Sequence, residues 1–199
     1  MLLYTHPLSA NAHKVKLLLG YLGLVYDERD IDIPGGEQRE AAFLAVSALG
    51  QIPVLEDGPV RLRDAQAILV YLGGRHGGAA WWPGEPLAQG QIAQWLAFAT
   101  LELQTGINLA RLHFRLGAPC DLVAAQAQGA KTLAFVEAHL SDGRLWLELD
   151  RPTIADCACA PFIARAGEAG HDLASFSATV AWIARLAALP GFTAMEGWA

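Results

Sequence analysis

Three short stretches of the chain carry residue types that could do chemistry. The first is Leu3-Tyr4-Thr5-His6-Pro7-Leu8-Ser9, which places Ser9 between the end of an apolar run and the start of a helical pattern. A serine there reads first as a helix cap. His13 follows one helical turn later, the beginning of a nucleophile–base pair, but no Gly-x-Ser-x-Gly occurs and no acid partner is evident, so hydrolase chemistry lacks support. The second stretch is Gly50-Gln51-Ile52-Pro53-Val54-Leu55 and the third Arg63-Asp64-Ala65-Gln66-Ala67-Ile68. Asp64 is a natural N-cap for the apolar helix that follows. Cysteine chemistry is excluded from this half of the chain: the three cysteines are Cys120, Cys157 and Cys159, whereas a thioredoxin-like reductase needs a thiolate beside its first helix. Cys157 and Cys159 fall inside a helix opened by a capping box, Thr153-Ile154-Ala155-Asp156, and read as core residues. No second ligand pair accompanies them, and the six histidines are scattered, so no metal site is expected. Gly73-Gly74-Arg75-His76-Gly77-Gly78 follows a helix instead of a strand and reads as punctuation, not as a phosphate loop.

The elements that must position these residues follow from periodicity. Leu2 to Tyr4 is a short strand, and residues 10–22 carry Ala12, Val15, Leu18, Leu19 and Leu22 on one helical face before Gly23 stops the helix. Residues 26–33 read as a second strand, with Ile31 and Ile33 alternating against Asp30 and Asp32. Residues 40–46 form a short helix. Asp57-Gly58 between two apolar runs signals a hairpin. The order β-α-β-α-β-β-α over residues 1–77 is that of a thioredoxin-like α/β domain with a mixed four-stranded sheet, its first two strands parallel through a right-handed crossover. Glycines and prolines mark a linker over 78–86. From residue 87 to 199 strand signals vanish, and an all-α helical bundle is expected, with helices over 87–116, 121–140 and 177–188 and one opened at Thr153.

Composition narrows the function classes. The 199 residues are 53% hydrophobic and 17% charged, which excludes intrinsic disorder. Net charge is -6 with no basic tract, so nucleic acid is not an expected partner. No uncharged apolar window reaches the length of a membrane span, and the N-terminal residues lack a basic n-region and a long apolar core, so neither membrane insertion nor secretion is expected. With an odd cysteine number and no disulfide framework, the expected compartment is the cytoplasm.

These pieces, together with Trp182-Ile183-Ala184-Arg185 and Leu189-Pro190-Gly191-Phe192, resemble the cytosolic glutathione S-transferases over essentially the whole chain, with a bacterial, serine-type N-terminal motif. The resemblance implies a glutathione-binding N-terminal domain and conjugation of the glutathione thiolate to small hydrophobic electrophiles, with glutathione as co-substrate and no metal. Ser9 would donate to the glutathione sulfur: a free thiol has a pKa near about 8.5, and lowering it by about two units takes roughly 2.7 kcal/mol of preferential anion stabilisation. Pro53 would be cis and would present the main chain of Ile52 to the cysteinyl part of glutathione. Gln51 and Gln38 match positions that reach the glycyl carboxylate. Asp64 matches an acidic residue that helps to hold the glutathione amino group. At Ala65 the chain departs from the family, which has a serine there whose hydroxyl and amide bind the γ-glutamyl carboxylate; Ala65 keeps only the amide. Ser47-Ala48 likewise replaces the Asn-Pro common before Gly50. The acceptor-substrate cleft would lie between the domains, at His6, Leu8, Asn108, Arg111 and Leu112, with Trp95, Glu102 and Gly106 nearby. The resemblance also implies a homodimer, and it leaves open a glutathione-dependent peroxidase or lyase, or a binding or interaction protein of the same fold with weak or no catalysis.

Overall fold

The computed structural model describes residues 1–198. Strand β1 (Leu2–Thr5) leads into α1 (Ala10–Tyr21) and β2 (Asp27–Asp30); a 3-10 turn and α2 (Ala41–Leu44) precede the hairpin β3 (Val54–Asp57) and β4 (Val60–Arg63), which feeds α3 (Ala65–Leu72). The sheet order is β2-β1-β3-β4, with β1 parallel to β2 and antiparallel to β3, and β3 antiparallel to β4. This is the expected mixed thioredoxin-like sheet. Alternation divides it into two faces. Leu3 and Leu55 join the large core under α1 and α3, while Tyr4 and Val54 close a small cluster with Ile31 and Phe43.

Three elements differ from the sequence expectation. β2 ends at Asp30 although Ile31 and Ile33 continue the alternation, because Asp32 Oδ1 accepts from the Gly35 amide and the Ile33 amide turns back onto the Ile31 carbonyl. What remains is a short edge strand of four exposed charged residues, a form that resists edge-to-edge pairing. The hairpin loop is Gly58-Pro59, one residue later than Asp57-Gly58, with Gly58 at φ 58°. Gly73–Gly77 is a wide turn that prolongs α3, and Gly78–Trp81 forms one turn of helix, α4, within the stretch read as linker. The glycine at 73 serves packing: a Cβ there would sit 3.0 Å from the Ile154 side chain and 3.2 Å from Trp82 Cβ.

The helical half opens with α5 (Pro86–Phe98), whose N-cap Glu85 accepts from the Leu87 and Ala88 amides. It continues without a break through a π-helical segment (Ala99–Asn108) into α6 (Leu109–Leu116), ended by Gly117 at φ 66°. α7 (Leu122–Leu140), α8 (Ile154–Ile163) and α9 (Ser177–Ala187) complete the bundle. At the π-helical segment the chain passes so close to α7 that a Cβ on Gly106 would meet the Gly129 amide nitrogen at 2.8 Å. Every residue of α8 is buried, Cys157 and Cys159 among them. Its capping box forms as expected: Thr153 Oγ1 accepts from the Ala155 amide, and Asp156 Oδ2 accepts from the Thr153 amide at 2.8 Å. Asp156 Oδ1 also accepts from the Leu147 amide and from Trp182 Nε1, so one buried carboxylate ties α8 to the preceding loop and to α9. Because α1 packs on α8, both halves share this helix as foundation.

Candidate functional site

A cleft of about 500 Å³ opens between the two halves. One wall is built from the ends of elements in the α/β half. At its centre Ser9 N-caps α1, its Oγ accepting from the Ala12 amide at 3.1 Å. That bond uses the oxygen as acceptor and leaves the O–H free to donate, so the capping role and a thiolate-donor role are compatible. The turn before it is fixed twice: the Leu8 amide donates to His6 Nδ1 at 3.1 Å, and Arg111 Nη1 donates to the Leu8 carbonyl at 3.0 Å. No Ser9–His13 pair forms. The His13 Nε2 lies 2.8 Å from the Thr193 carbonyl, and burial lowers its pKa to about 4, so the neutral ring donates away from the serine.

Beside Ser9, the Ile52–Pro53 peptide is cis, as expected. Ser47 holds the approach to it, its Oγ accepting from the Gln51 amide at 3.2 Å and donating to the Gln51 carbonyl at 2.9 Å. The residue that reads as a departure in sequence therefore clamps the segment carrying Ile52. At the third corner Asp64 caps α3 at φ 77° and ψ 125°, a positive φ that residues other than glycine rarely adopt. Its Oδ1 accepts from the Gln66 and Ala67 amides, both at 3.0 Å. The Ala65 amide, first in the helix, has no intrahelical acceptor and carries the positive end of the helix dipole.

The other wall is one helix face. Thr100, Gln104, Asn108, Leu112 and Leu116 all line the cleft, at a constant spacing of four. In a regular α-helix four residues advance by about 400°, so such a stripe would rotate by about 40° per step. The wider turns of the π-helical segment under-rotate and offset this, and the stripe stays on one side. Thr100 Oγ1 accepts from Gln66 Nε2 at 2.6 Å and donates to the Leu96 carbonyl, linking the walls. Asn11 Nδ2 and Asn108 Nδ2 both donate to Gln104 Oε1, at 3.3 and 3.1 Å.

Of the residues expected here, His6, Leu8, Ser9, Gln38, Gln51, Ile52, Pro53, Asp64, Ala65, Asn108 and Leu112 do line the cleft. Arg111 does not: it is buried, bonded to Leu8 and, through Nε, to Glu168 Oε2 at 2.9 Å, and acts as a strut behind the Ser9 turn. Trp95 and Glu102 line a separate groove, and Gly106 is packed against α7. Not anticipated from sequence are Asn11, Arg63, Gln66, Thr100 and Gln104; the spacing of four carries the signal for the last two, but only once the helix is known to be π-helical there. Gln38 Oε1 and Gln66 Oε1 are buried without a partner among the described residues, so the cleft offers two carbonyl acceptors to an N–H-bearing ligand. Burial raises the thiol pKa values of Cys157 and Cys159 and keeps both inert.

Two family models cover most of the chain: the glutathione S-transferase N-terminal domain over residues 3–80 and the glutathione S-transferase C-terminal domain over residues 93–194. A crystal structure of a glutathione S-transferase from Xanthobacter autotrophicus is 32% identical and superposes with a TM-score of 0.88, covering 98% of this chain and 97% of that one. Glutathione S-transferase 3 of Zea mays is 32% identical over 165 residues, 77% of this chain and 72% of the maize protein. A structure of Ure2p in complex with glutathione matches at 25% identity and TM-score 0.85, over 96% of this chain and 90% of that one. Among curated relatives, the protein URE2 of Debaryomyces hansenii is 26% identical, and the match spans 80% of this chain but only 65% of its own length. No helix of the described residues is long and apolar enough to cross a membrane.

Proposed function

The chain belongs to the glutathione S-transferase family, and from that premise we propose that it conjugates the thiolate of glutathione to small electrophiles bound against the helical wall. The observation that carries this reading is the free hydroxyl of Ser9 at the head of α1, facing the cleft between the cis Ile52–Pro53 corner and the N-terminus of α3. In the proposed reaction the Ala65 amide and the α3 dipole hold the γ-glutamyl carboxylate, and Asp64 holds the adjacent amino group. The main chain of Ile52 pairs with the cysteinyl unit, while Gln51 and Gln38 lie towards the glycyl end. Ser9 donates its hydroxyl to the sulfur anion, and the positive end of α1 adds to the stabilisation. The thiolate then attacks an electrophile held within reach, and proximity supplies much of the acceleration. Cytoplasmic detoxification fits this chemistry.

The same reading includes a homodimer. A second groove of about 360 Å³ exposes Leu101 and Phe135 beside Trp95, Phe98 and His139 on the outer face of α5, the π-helical segment and α7, an apolar surface of the kind that a second copy covers. Light scattering on the eluted protein should return twice the chain mass; a monomer at micromolar concentration refutes the dimer.

A second reading, a binding protein with little turnover, is favoured by Ala65, which lacks one hydrogen bond to a charged group, worth about 1.5–3 kcal/mol. Calorimetric titration with glutathione, paired with conjugation assays on several electrophiles, separates the two. No heat at millimolar glutathione would sink the transferase reading. Binding without turnover, unchanged in Ser9→Ala, would establish the binding protein, whereas a peroxidase or lyase would turn over peroxides or thioether substrates in the same assays.

A further inference from the structure

The turn that aims Ser9 is held from outside itself. Within it, the Ser9 amide donates to the His6 carbonyl at 2.9 Å, and the Leu8 amide donates to His6 Nδ1 at 3.1 Å. The Ser9 carbonyl starts α1 by accepting from the His13 amide. The Leu8 carbonyl takes no part in these bonds. It accepts instead from Arg111 Nη1 at 3.0 Å, and among the described residues this is the hydrogen bond that joins residues 6–9 to the helical half. Because a peptide is planar, the plane of the Leu8–Ser9 unit sets φ of Ser9, here −81°, and with it the direction of the side chain.

Arg111 is itself gripped. Its side chain is buried, and Nε donates to Glu168 Oε2 at 2.9 Å. Glu168 Oε1 accepts in turn from Arg165 Nε at 2.9 Å and Nη2 at 2.6 Å, just beyond the end of α8. A line of bonds thus runs from α8 through Glu168 and Arg111 to the Leu8 carbonyl. Stability alone does not account for it. Two buried guanidinium groups share one carboxylate, and Arg111 Nη2 and Arg165 Nη1 have no partner among the described residues. Desolvation of buried charges is repaid only where the remaining donors are met, and here two are not. Burial and the Arg165 charge lower the Arg111 pKa to about 10, which still leaves the group charged at neutral pH. What the arrangement supplies is rigidity: a guanidinium is a planar fork, so its grips on Leu8 and on Glu168 fix each other.

We propose that Arg111 is a positioning residue of the thiol step, fixing the Leu8–Ser9 peptide from behind so that the Ser9 hydroxyl stays aimed at the glutathione sulfur. The inference rests on the transferase reading above. Arg111 does not line the cleft and acts only through the Ser9 turn, while Glu168 sets the angle of the guanidinium. Lysine cannot replace it, because an ammonium is a point donor without the fork that spans both partners.

The test is a double-mutant cycle with Ser9→Ala, read with benzyl chloride as the electrophile. Arg111→Met leaves Glu168 paired with Arg165, and Arg111→Lys keeps a cation beside it; whichever folds, by its urea midpoint, carries the cycle. At neutral pH and saturating glutathione, kcat is expected to fall about tenfold, with calorimetric glutathione affinity held within about threefold. The rising limb of the pH profile should move up by about one unit, the shift that matches a tenfold loss. In the Ser9→Ala background the same substitution should change kcat by less than about twofold, because the group it positions is gone. An equal fall in both backgrounds overturns the proposal, since Arg111 would then act on the fold or on glutathione instead of on Ser9. A variant whose kcat and pH profile match the parent overturns it as well. A parent that conjugates no electrophile overturns the transferase reading itself, a result distinct from either of these.

Discussion

The two walls of the cleft are built by opposite means. The wall of the α/β half is a set of element ends: the Ser9 cap, the cis Ile52–Pro53 corner clamped by Ser47, and Asp64 at φ 77° before the free Ala65 amide. Its cleft-facing groups are fixed in position by turns and caps. The wall of the helical half is a stripe of side chains on one helix, Thr100 to Leu116, where any residue can change while the backbone stays. The contrast teaches why family motifs are recognisable in one half and the residues of the other wall are not: the first wall constrains residue type through φ, ψ and hydrogen bonding, and the second constrains only direction.

The most damaging substitution should be one that tests whether the walls stand independently. Asp156→Ala strands the Thr153 and Leu147 amides and Trp182 Nε1 inside the core, and a loss of about 3 kcal/mol or more is expected in urea unfolding. Because α1 rests on α8, a single cooperative transition should move to lower urea; an α/β half that remains folded alone would show the walls to be separate units.

Acid should act on the shared seam next. His13 has its folded pKa lowered to about 4 against an ordinary 6.5, chiefly by burial. Its contribution to stability is therefore complete above pH 6.5 and is lost as pH falls from 6.5 to 4, by an amount on the order of 3 kcal/mol. In His13→Gln the fall over that window should flatten, as read from denaturation midpoints at a series of pH values.

The element-end wall is probed by Ser9→Ala, for which kcat/KM should drop by about 100-fold as the pH profile of the thiol step moves to higher pH. The cap contributes only about 1 kcal/mol to stability, so a variant that loses activity solely through unfolding would contradict the donor role. The smallest expected effect is a gain. Ala65→Ser restores a hydroxyl beside the free amide, and calorimetry should find glutathione bound about tenfold tighter; unchanged affinity would place the γ-glutamyl carboxylate elsewhere.

Much of the first wall was legible in sequence because its devices are local. Ser9 and Asp64 announce caps by type and position, and the Gln51-Ile52-Pro53 segment is short enough to recognise whole. The second wall was only partly legible. Asn108 and Leu112 lie where expected, but Arg111 between them turned inward to Leu8 and Glu168, since neighbours on a helix point about 100° apart. Gln104 and Thr100 escaped because the π-helical segment resets the phase of the stripe. Its close approach to α7 at Gly106 is a long-range contact with no counterpart in the local pattern.

The amino-acid sequence by itself determined the two-part architecture, the mixed sheet and the capped helices, because these rest on periodicity, caps and composition over a few neighbouring residues. Only the tertiary structure decided that His13 faces away from Ser9 and that Asn11 meets Gln104 across the cleft. Those outcomes depend on pairs far apart in the chain, as far as the 180 residues that separate His13 from Thr193, and on packing that sets which face of a helix is left to meet a ligand.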